Sequence, residues 1–266
     1  MTGPVYEDVL SEYAGLESSL ADTAVLRDHL RARRLRRCLA ELGPLHSVAV
    51  RLPAVEEDLA AAVELGWEAE AERLSAQVAG LRDDLAGRLA LRDPRDPFDV
   101  VVFVEGDARC VALQASRYRD LAAERGWSVQ DLDDRSGPVA AFAITAREGA
   151  GGPWGALKRE NGQYGADGGL LGGPGDLPDG RADEVSARVT VVPEGLDVPD
   201  PPPGDLRLDL YCTRRPEQPP DVWVTHLPSG IQVRGTGTRS FEAKAAALRQ
   251  IRALLAAGRQ QSLAAE

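Results

Sequence analysis

The stretch that decides the fold reads Asp205-Leu206-Arg207-Leu208-Asp209-Leu210-Tyr211, then Val222-Trp223-Val224-Thr225-His226-Leu227-Pro228-Ser229-Gly230-Ile231-Gln232-Val233. Leu206, Leu208 and Leu210 alternate with polar residues, the period of a half-buried strand. Pro228-Ser229-Gly230 reads as a turn between two further strands. Behind them, residues 241–257 place Leu248, Ile251, Leu254 and Leu255 on one apolar face of a helix. Three short strands and a helix define a small C-terminal β-sheet-plus-helix module, residues 199–266. The proline-rich residues 193–204 read as a stiff extended linker in front of it.

Upstream, residues 96–198 carry a different pattern. Asp99-Val100-Val101-Val102-Phe103-Val104 is a continuous apolar run, as expected of a strand buried on both faces. Residues 111–125 read as a helix with Leu113, Tyr118 and Leu121 on one side. Residues 127–132, 139–144 and 185–192 read as strands, so the middle domain is mixed α+β. Between them, Gly and Pro punctuate residues 149–184. Gly168-Gly169-Leu170-Leu171-Gly172-Gly173-Pro174-Gly175 reads as part of a long irregular loop with no helix or stable strand.

Residues 1–95 read as helical. Leu10, Tyr13, Leu16, Leu20, Leu26, Leu30, Leu35 and Leu39 mark one helix over 6–43, with Gly43-Pro44 as its stop signal. A second stretch follows Pro53 with Val55, Leu59 and Val63. After a weak point at Gly66, Leu74, Val78, Leu81, Leu85 and Leu89 form a seam suited to a helical hairpin or small bundle. Asp93-Pro94-Arg95-Asp96-Pro97 ends it. The predicted fold class is therefore α+β, in three parts.

The 266 residues carry a net charge of -11, unevenly spread. Residues 1–96 sum to -6 and 97–203 to -8, whereas 204–262 sum to +4. The basic C-terminal part reads either as a phosphate-contact patch or as a solvated face that balances nearby acids. A second basic cluster, Arg31, Arg33, Arg34, Arg36 and Arg37, interrupts the acidic helices. No apolar run reaches the length of a membrane span, and the acidic N-terminus lacks a signal segment, so a cytoplasmic protein without a membrane partner is expected. Cys38, Cys110 and Cys212 are far apart, which fits reduced thiols rather than a disulfide framework. His29, His46 and His226 have no partner at zinc-ligand spacing, and no phosphate-binding or nucleophile-elbow motif occurs. No metal or cofactor is expected.

Taken in order, these segments resemble the bacterial class-I peptide chain release factors. The likeness spans about residues 5–258. It rests on 205–211 and Val224-Thr225-His226-Leu227-Pro228-Ser229-Gly230-Ile231-Gln232-Val233, on Arg239-Ser240, and on Leu248-Arg249-Gln250-Ile251-Arg252. Further upstream it includes Trp154-Gly155-Ala156-Leu157-Lys158-Arg159-Glu160-Asn161-Gly162 and Tyr13-Ala14-Gly15-Leu16. The resemblance implies a ligand of the ribosomal A site. In the family the helical domain faces the stalk base, the middle domain reads the stop codon, and the last module carries Gly-Gly-Gln into the peptidyl-transferase centre. His226 matches a structural residue of the family. The ribosome and its RNA are the implied partners, and no DNA partner is expected. If the last module touches RNA, the paired donors of Arg214, Arg215, Arg234, Arg239, Arg249 and Arg252 are the expected contacts. The alternative is that some of them only balance Asp205, Asp209, Glu217 and Asp221.

The departures bear on function. Where the family carries its Gly-Gly-Gln loop, this chain reads Cys212-Thr213-Arg214-Arg215-Pro216-Glu217-Gln218-Pro219-Pro220-Asp221. Gln218 is the one positional candidate for the catalytic glutamine. Glycines permit a close backbone approach that other residues forbid, and a backbone N–H can then stabilise an oxyanion. Pro216 and Pro219 have no N–H, Gln218 before proline is driven towards extended geometry, and Glu217 adds negative charge. In place of the family's codon-reading tripeptide stand residues 170–177, followed by Ala182-Asp183-Glu184. The strands that complete the family's middle sheet are expected to be missing, leaving an edge for a protein partner or a homodimer. Three readings follow: a ribosome-bound protein without release activity, a scaffold repurposed to bind another protein or a small ligand, or an enzyme with residual release activity.

Overall fold

The computed structural model describes residues 5–133, 137–147, 150–172, 186–194, 200–211 and 221–264. By contacts the chain forms two compact units, Met1–Pro97 and Phe98–Glu266. The first ends in the Asp-Pro-rich stretch that interrupts the helices.

In the first unit, α1 (Val5–Ala21), α2 (Thr23–Arg27), α3 (His29–Glu64) and α4 (Glu68–Leu91) pack as a helical bundle. The expected single helix over 6–43 is broken near its middle, where the Asp22 side chain accepts from Ala24 N–H at 2.8 Å and caps α2. The expected stop at Gly43-Pro44 does not occur. Helix α3 runs through both Pro44 and Pro53. Leu42, Leu45, Val48, Ala49, Leu52 and Val55 are buried along this span. Each buried leucine contributes about 2 kcal/mol, and a few of them outweigh the roughly 3 kcal/mol that an internal proline costs. The seam of α4 appears as read, with Leu74, Val78 and Leu85 buried and Leu81 and Leu89 packed against them. Gly66, at φ +70°, closes α3 and starts the return.

The second unit contains β1 (Val100–Gly106), α5 (Ala108–Glu124), β2 (Ser128–Asp133), β3 (Val139–Thr145), α6 (Pro153–Leu157), β4 (Gly162–Gly165), β5 (Leu170–Gly172) and β6 (Ser186–Pro193). It continues with β7 (Leu206–Tyr211), β8 (Asp221–His226), β9 (Ile231–Gly235) and α7 (Ser240–Ala264). Six strands form an antiparallel sheet in the order β2-β3-β1-β6-β4-β5, with Val102 opposite both Phe142 and Val191. Strand β1 is central and covered on both faces, which explains its unbroken apolar run. Val100, Val102 and Val104 face Val111, Ala115 and Tyr118 of α5. Val101 and Phe103 face Ala246 and Ala253 of α7.

Three elements lie where an irregular loop is expected. Strands β4 and β5 make a short hairpin, in which Gly168 takes φ +81° and Gly165 N–H donates to the Gly169 carbonyl at 2.9 Å. The glycines supply the turn, and Tyr164 anchors the hairpin in the core. Helix α6 begins at Pro153, a residue suited to a helix start, and buries Trp154 and Leu157. The rest of that stretch, residues 173–185, lies outside the described residues.

Strands β7, β8 and β9 form a second antiparallel sheet in that order. Helix α7 lies between the two sheets. Its Ala243, Ala247 and Ile251 meet Val222, Val224 and Val233 of the small sheet, and its Ala246 and Ala253 meet the large one. Small side chains on both sides let the backbones approach closely. The tightest point is Gly235, where a Cβ would stand 1.8 Å from the Ala243 carbonyl oxygen and 2.7 Å from Ala247 N. Both neighbours are backbone and cannot move aside. Gly235→Ala is expected to destabilise the unit by about 3 kcal/mol, the upper end of overpacking costs. A loss below about 1 kcal/mol in denaturant titration would show that α7 can shift freely.

Candidate functional site

The arginines expected to meet RNA fall into distinct environments. Arg249 of α7 is buried at the large sheet, its side chain 12% exposed. Its Nε donates to Glu194 Oε1 at 2.6 Å and its Nη2 to the other oxygen at 2.5 Å. Nη1 donates to Gln130 Oε1 at 2.8 Å, and Nη2 also reaches Thr145 Oγ1 at 3.3 Å. Burial pulls its pKa down, but the bonds and attraction to Glu194, and the charge of Asp99, leave it above the ordinary arginine value. This guanidinium holds α7 to the sheet and is not presented to a phosphate.

Arg234 of β9 is also mostly buried, with Nη1 3.9 Å from Asp133 Oδ1. Arg252 is 40% exposed and pairs with Asp200 at 3.0 Å. Arg239 stands exposed at the start of α7, its guanidinium carbon 5.8 Å over the Phe241 ring. The same turn is fixed by Glu242, whose Oε2 accepts from Thr238 N–H at 2.9 Å, Thr238 Oγ at 2.6 Å and Arg239 N–H at 3.2 Å. The Thr238 hydroxyl first, then these backbone donors and the Arg239 charge, hold the Glu242 carboxyl below its usual pKa. Arg214, Arg215 and Gln218 lie outside the described residues, as does Cys212.

His226 Nδ1 and Ser229 Oγ lie 2.7 Å apart. The pair belongs to the β8–β9 turn, for Ser229 Oγ accepts from Ile231 N–H and Gly230 N–H donates to the His226 carbonyl. Among the described residues no carboxylate orients the His226 ring. Cys38 and Cys110 are buried. Burial, opposed by Arg37, pushes the Cys38 thiol up to about 11, and burial raises Cys110 as well. Both remain thiols at neutral pH.

Two further groups of matched residues hold the fold. Glu160 Oε2 accepts from Tyr164 Oη at 2.9 Å and Tyr118 Oη at 3.4 Å, and Arg117 lies 3.4 Å away. Burial and the Glu160 bond push Tyr164 up to about 12. Asn161 Oδ1 accepts from Val191 N–H at 2.8 Å, tying the segment between α6 and β4 to β6. Gln250 stands in the matched run 248–252, but its role was not legible there: its Nε2 donates to the carbonyls of Leu132 and Arg234 and bridges the two sheets. A polar residue amid an apolar helical stripe was the physical signal for it. Leu132 O also accepts from Thr236 N–H at 3.0 Å, so the outer edge of β2 is in part occupied from within. Strand β5 is the other edge of that sheet.

The geometry defines an α+β protein with a helical unit and a two-sheet unit whose most exposed described arginine of the C-terminal set is Arg239. No family description matches the chain. It is 33% identical to peptide chain release factor 1 of Acidothermus cellulolyticus, over 98% of this chain and 77% of that protein. It is 34% identical to peptide chain release factor 1 of Mycobacterium sp. (strain KMS), over 97% of this chain and 77% of that protein. Among solved structures, RF2 of Thermus thermophilus is similar in fold, with a TM-score of 0.51 at 20% identity over 97% of this chain and 79% of that chain. This chain belongs to the peptide chain release factor family.

Proposed function

We propose that this release-factor-family protein binds the ribosome without hydrolysing peptidyl-tRNA and without ordinary stop-codon reading. The observation that carries the reading is the absence of Gly-Gly-Gln from all 266 residues. The segment in its place offers Pro216, Pro219 and Pro220, none with an N–H, beside the acidic Glu217. An oxyanion needs a preorganised donor, and this segment has lost the backbone freedom and several of the donors that would supply one. The codon tripeptide is replaced as well, by a stretch ending in Asp183 and Glu184, whose charge opposes mRNA phosphate. The family scaffold and the basic C-terminal part support continued ribosome binding.

Arg214, Arg215 and Arg239 are the contacts we assign to RNA. Arg249 and Arg234 are set aside because both are buried within the fold. Arginine suits phosphate because its paired donors match two oxygens at once. Each lost phosphate contact lowers the slope of log affinity against log salt by about 0.7–0.9. Co-sedimentation with ribosomes across a salt series should therefore show weaker binding and a flatter slope, by about 2–3, for Arg214→Ala/Arg215→Ala/Arg239→Ala. Thermal stability should stay near the parent value. A parent protein that does not sediment with ribosomes even at low salt would contradict the reading.

A further inference from the structure

Among the described residues, β7 pairs with β8 on one side only and is the edge of its sheet. The ladder extends to the Asp205 carbonyl, which accepts from Leu227 N–H at 2.8 Å. Hydrogen-bonded and non-hydrogen-bonded pairs alternate along an antiparallel ladder. Arg207, Asp209 and Tyr211 therefore turn their backbone groups to β8. Leu206, Leu208 and Leu210 turn theirs to the open edge.

The side chains complete the pattern. Leu206, Leu208 and Leu210 lie opposite His226, Val224 and Val222, on the face that α7 covers. Helix α7 packs on β8 and β9 and leaves Leu208 38% and Leu210 58% exposed. Arg207 and Asp209 share the reverse face, 3.0 Å apart. Natural edge strands are blunted by charged side chains, above all lysine, by proline or by a bulge. Leu206–Tyr211 has no lysine, proline or bulge, its two charges are of opposite sign and paired with each other, and its register with β8 is unbroken.

Leu-Arg-Leu-Asp-Leu is complementary to itself when run antiparallel. With a two-fold axis at Leu208, Leu206 meets the second copy's Leu210, Leu208 meets its counterpart, and Arg207 meets Asp209 at both ends. The three outward-facing leucines of each copy then exchange backbone hydrogen bonds across the axis. Shifting the axis to Arg207 or Asp209 would set arginine against arginine or aspartate against aspartate, which opposes pairing. We propose that β7 pairs antiparallel with β7 of a second copy of this chain, about an axis at Leu208, giving a homodimer with one continuous six-stranded sheet. This contact goes beyond the ribosome reading and lies on the small sheet.

Sedimentation equilibrium of the full chain tests it. The average mass should rise from 28.4 kDa towards twice that value as concentration climbs through the micromolar range. Arg207→Asp and Asp209→Arg each set two like-charge pairs across the axis and should weaken association about tenfold or more. An equimolar mixture of these two variants should associate again, because aspartates then face arginines at both positions. The double reversal should also restore the dimer. Leu208→Pro removes an outward N–H and leaves the β8 ladder intact, so it should abolish association with little loss of folding. Should that variant fail to fold, the charge reversals still decide the matter. A parent monomeric at every concentration, single reversals that associate as the parent does, or a mixture that stays monomeric would overturn the proposal.

Discussion

Replacing Arg249 by alanine is expected to cost about 3–5 kcal/mol, the range for removing one member of a buried ion pair. The Glu194 side chain is 11% exposed and would keep its charge without the Arg249 guanidinium against it. Asp99, 0% exposed, lies in the same neighbourhood and contributes to the field on Arg249. Gln130 and Thr145 would each lose a donor as well. For a unit of this size the loss corresponds to a fall in Tm of roughly 6–20 °C. Replacing both partners, as Arg249→Met with Glu194→Leu, should recover most of the stability, because apolar substitutes of similar volume are often neutral. Thermal unfolding of the three proteins checks this. A single variant as stable as the parent would mean that the pair does not fasten α7 to the sheet.

This result also separates two roles that the sequence leaves mixed. A count of arginines over 204–262 shows a basic segment, but not which charges are spent inside. Glu194 and Asp133 lie 55 and 101 positions from Arg249 and Arg234 in the chain, and only the folded register brings them together. The strands β1, β3, β6 and β8 were legible because burial on one or both faces leaves an alternating or an unbroken apolar run. Helix α7 was legible as a helix, but its burial was not. Leu248, Ile251, Leu254 and Leu255 suggest one apolar face, whereas the helix is covered on two, and alanines make both contacts. Gly235 and Gly237 are ordinary glycines in sequence and become essential only where α7 crosses β9. The prolines of α3 misled for the opposite reason, since local propensity yields to the packing of a long apolar seam.

The absence of the Gly-Gly-Gln motif, by contrast, is read wholly from sequence, and it sets the largest effect predicted here. Removing one oxyanion donor from an acyl-transfer site typically costs about 10²–10³-fold in rate. The segment that stands in place of the family's loop has no Gly-Gly pair, and Pro219 disfavours helical backbone geometry at Gln218. Release should therefore fall to the level of spontaneous hydrolysis. The decisive measurement is peptide release from ribosomes programmed with a stop codon, carrying labelled peptidyl-tRNA, with this protein at concentrations that saturate its binding. The account predicts release indistinguishable from the factor-free background at every stop codon, while the protein remains bound. Stop-dependent release clearly above that background would contradict it.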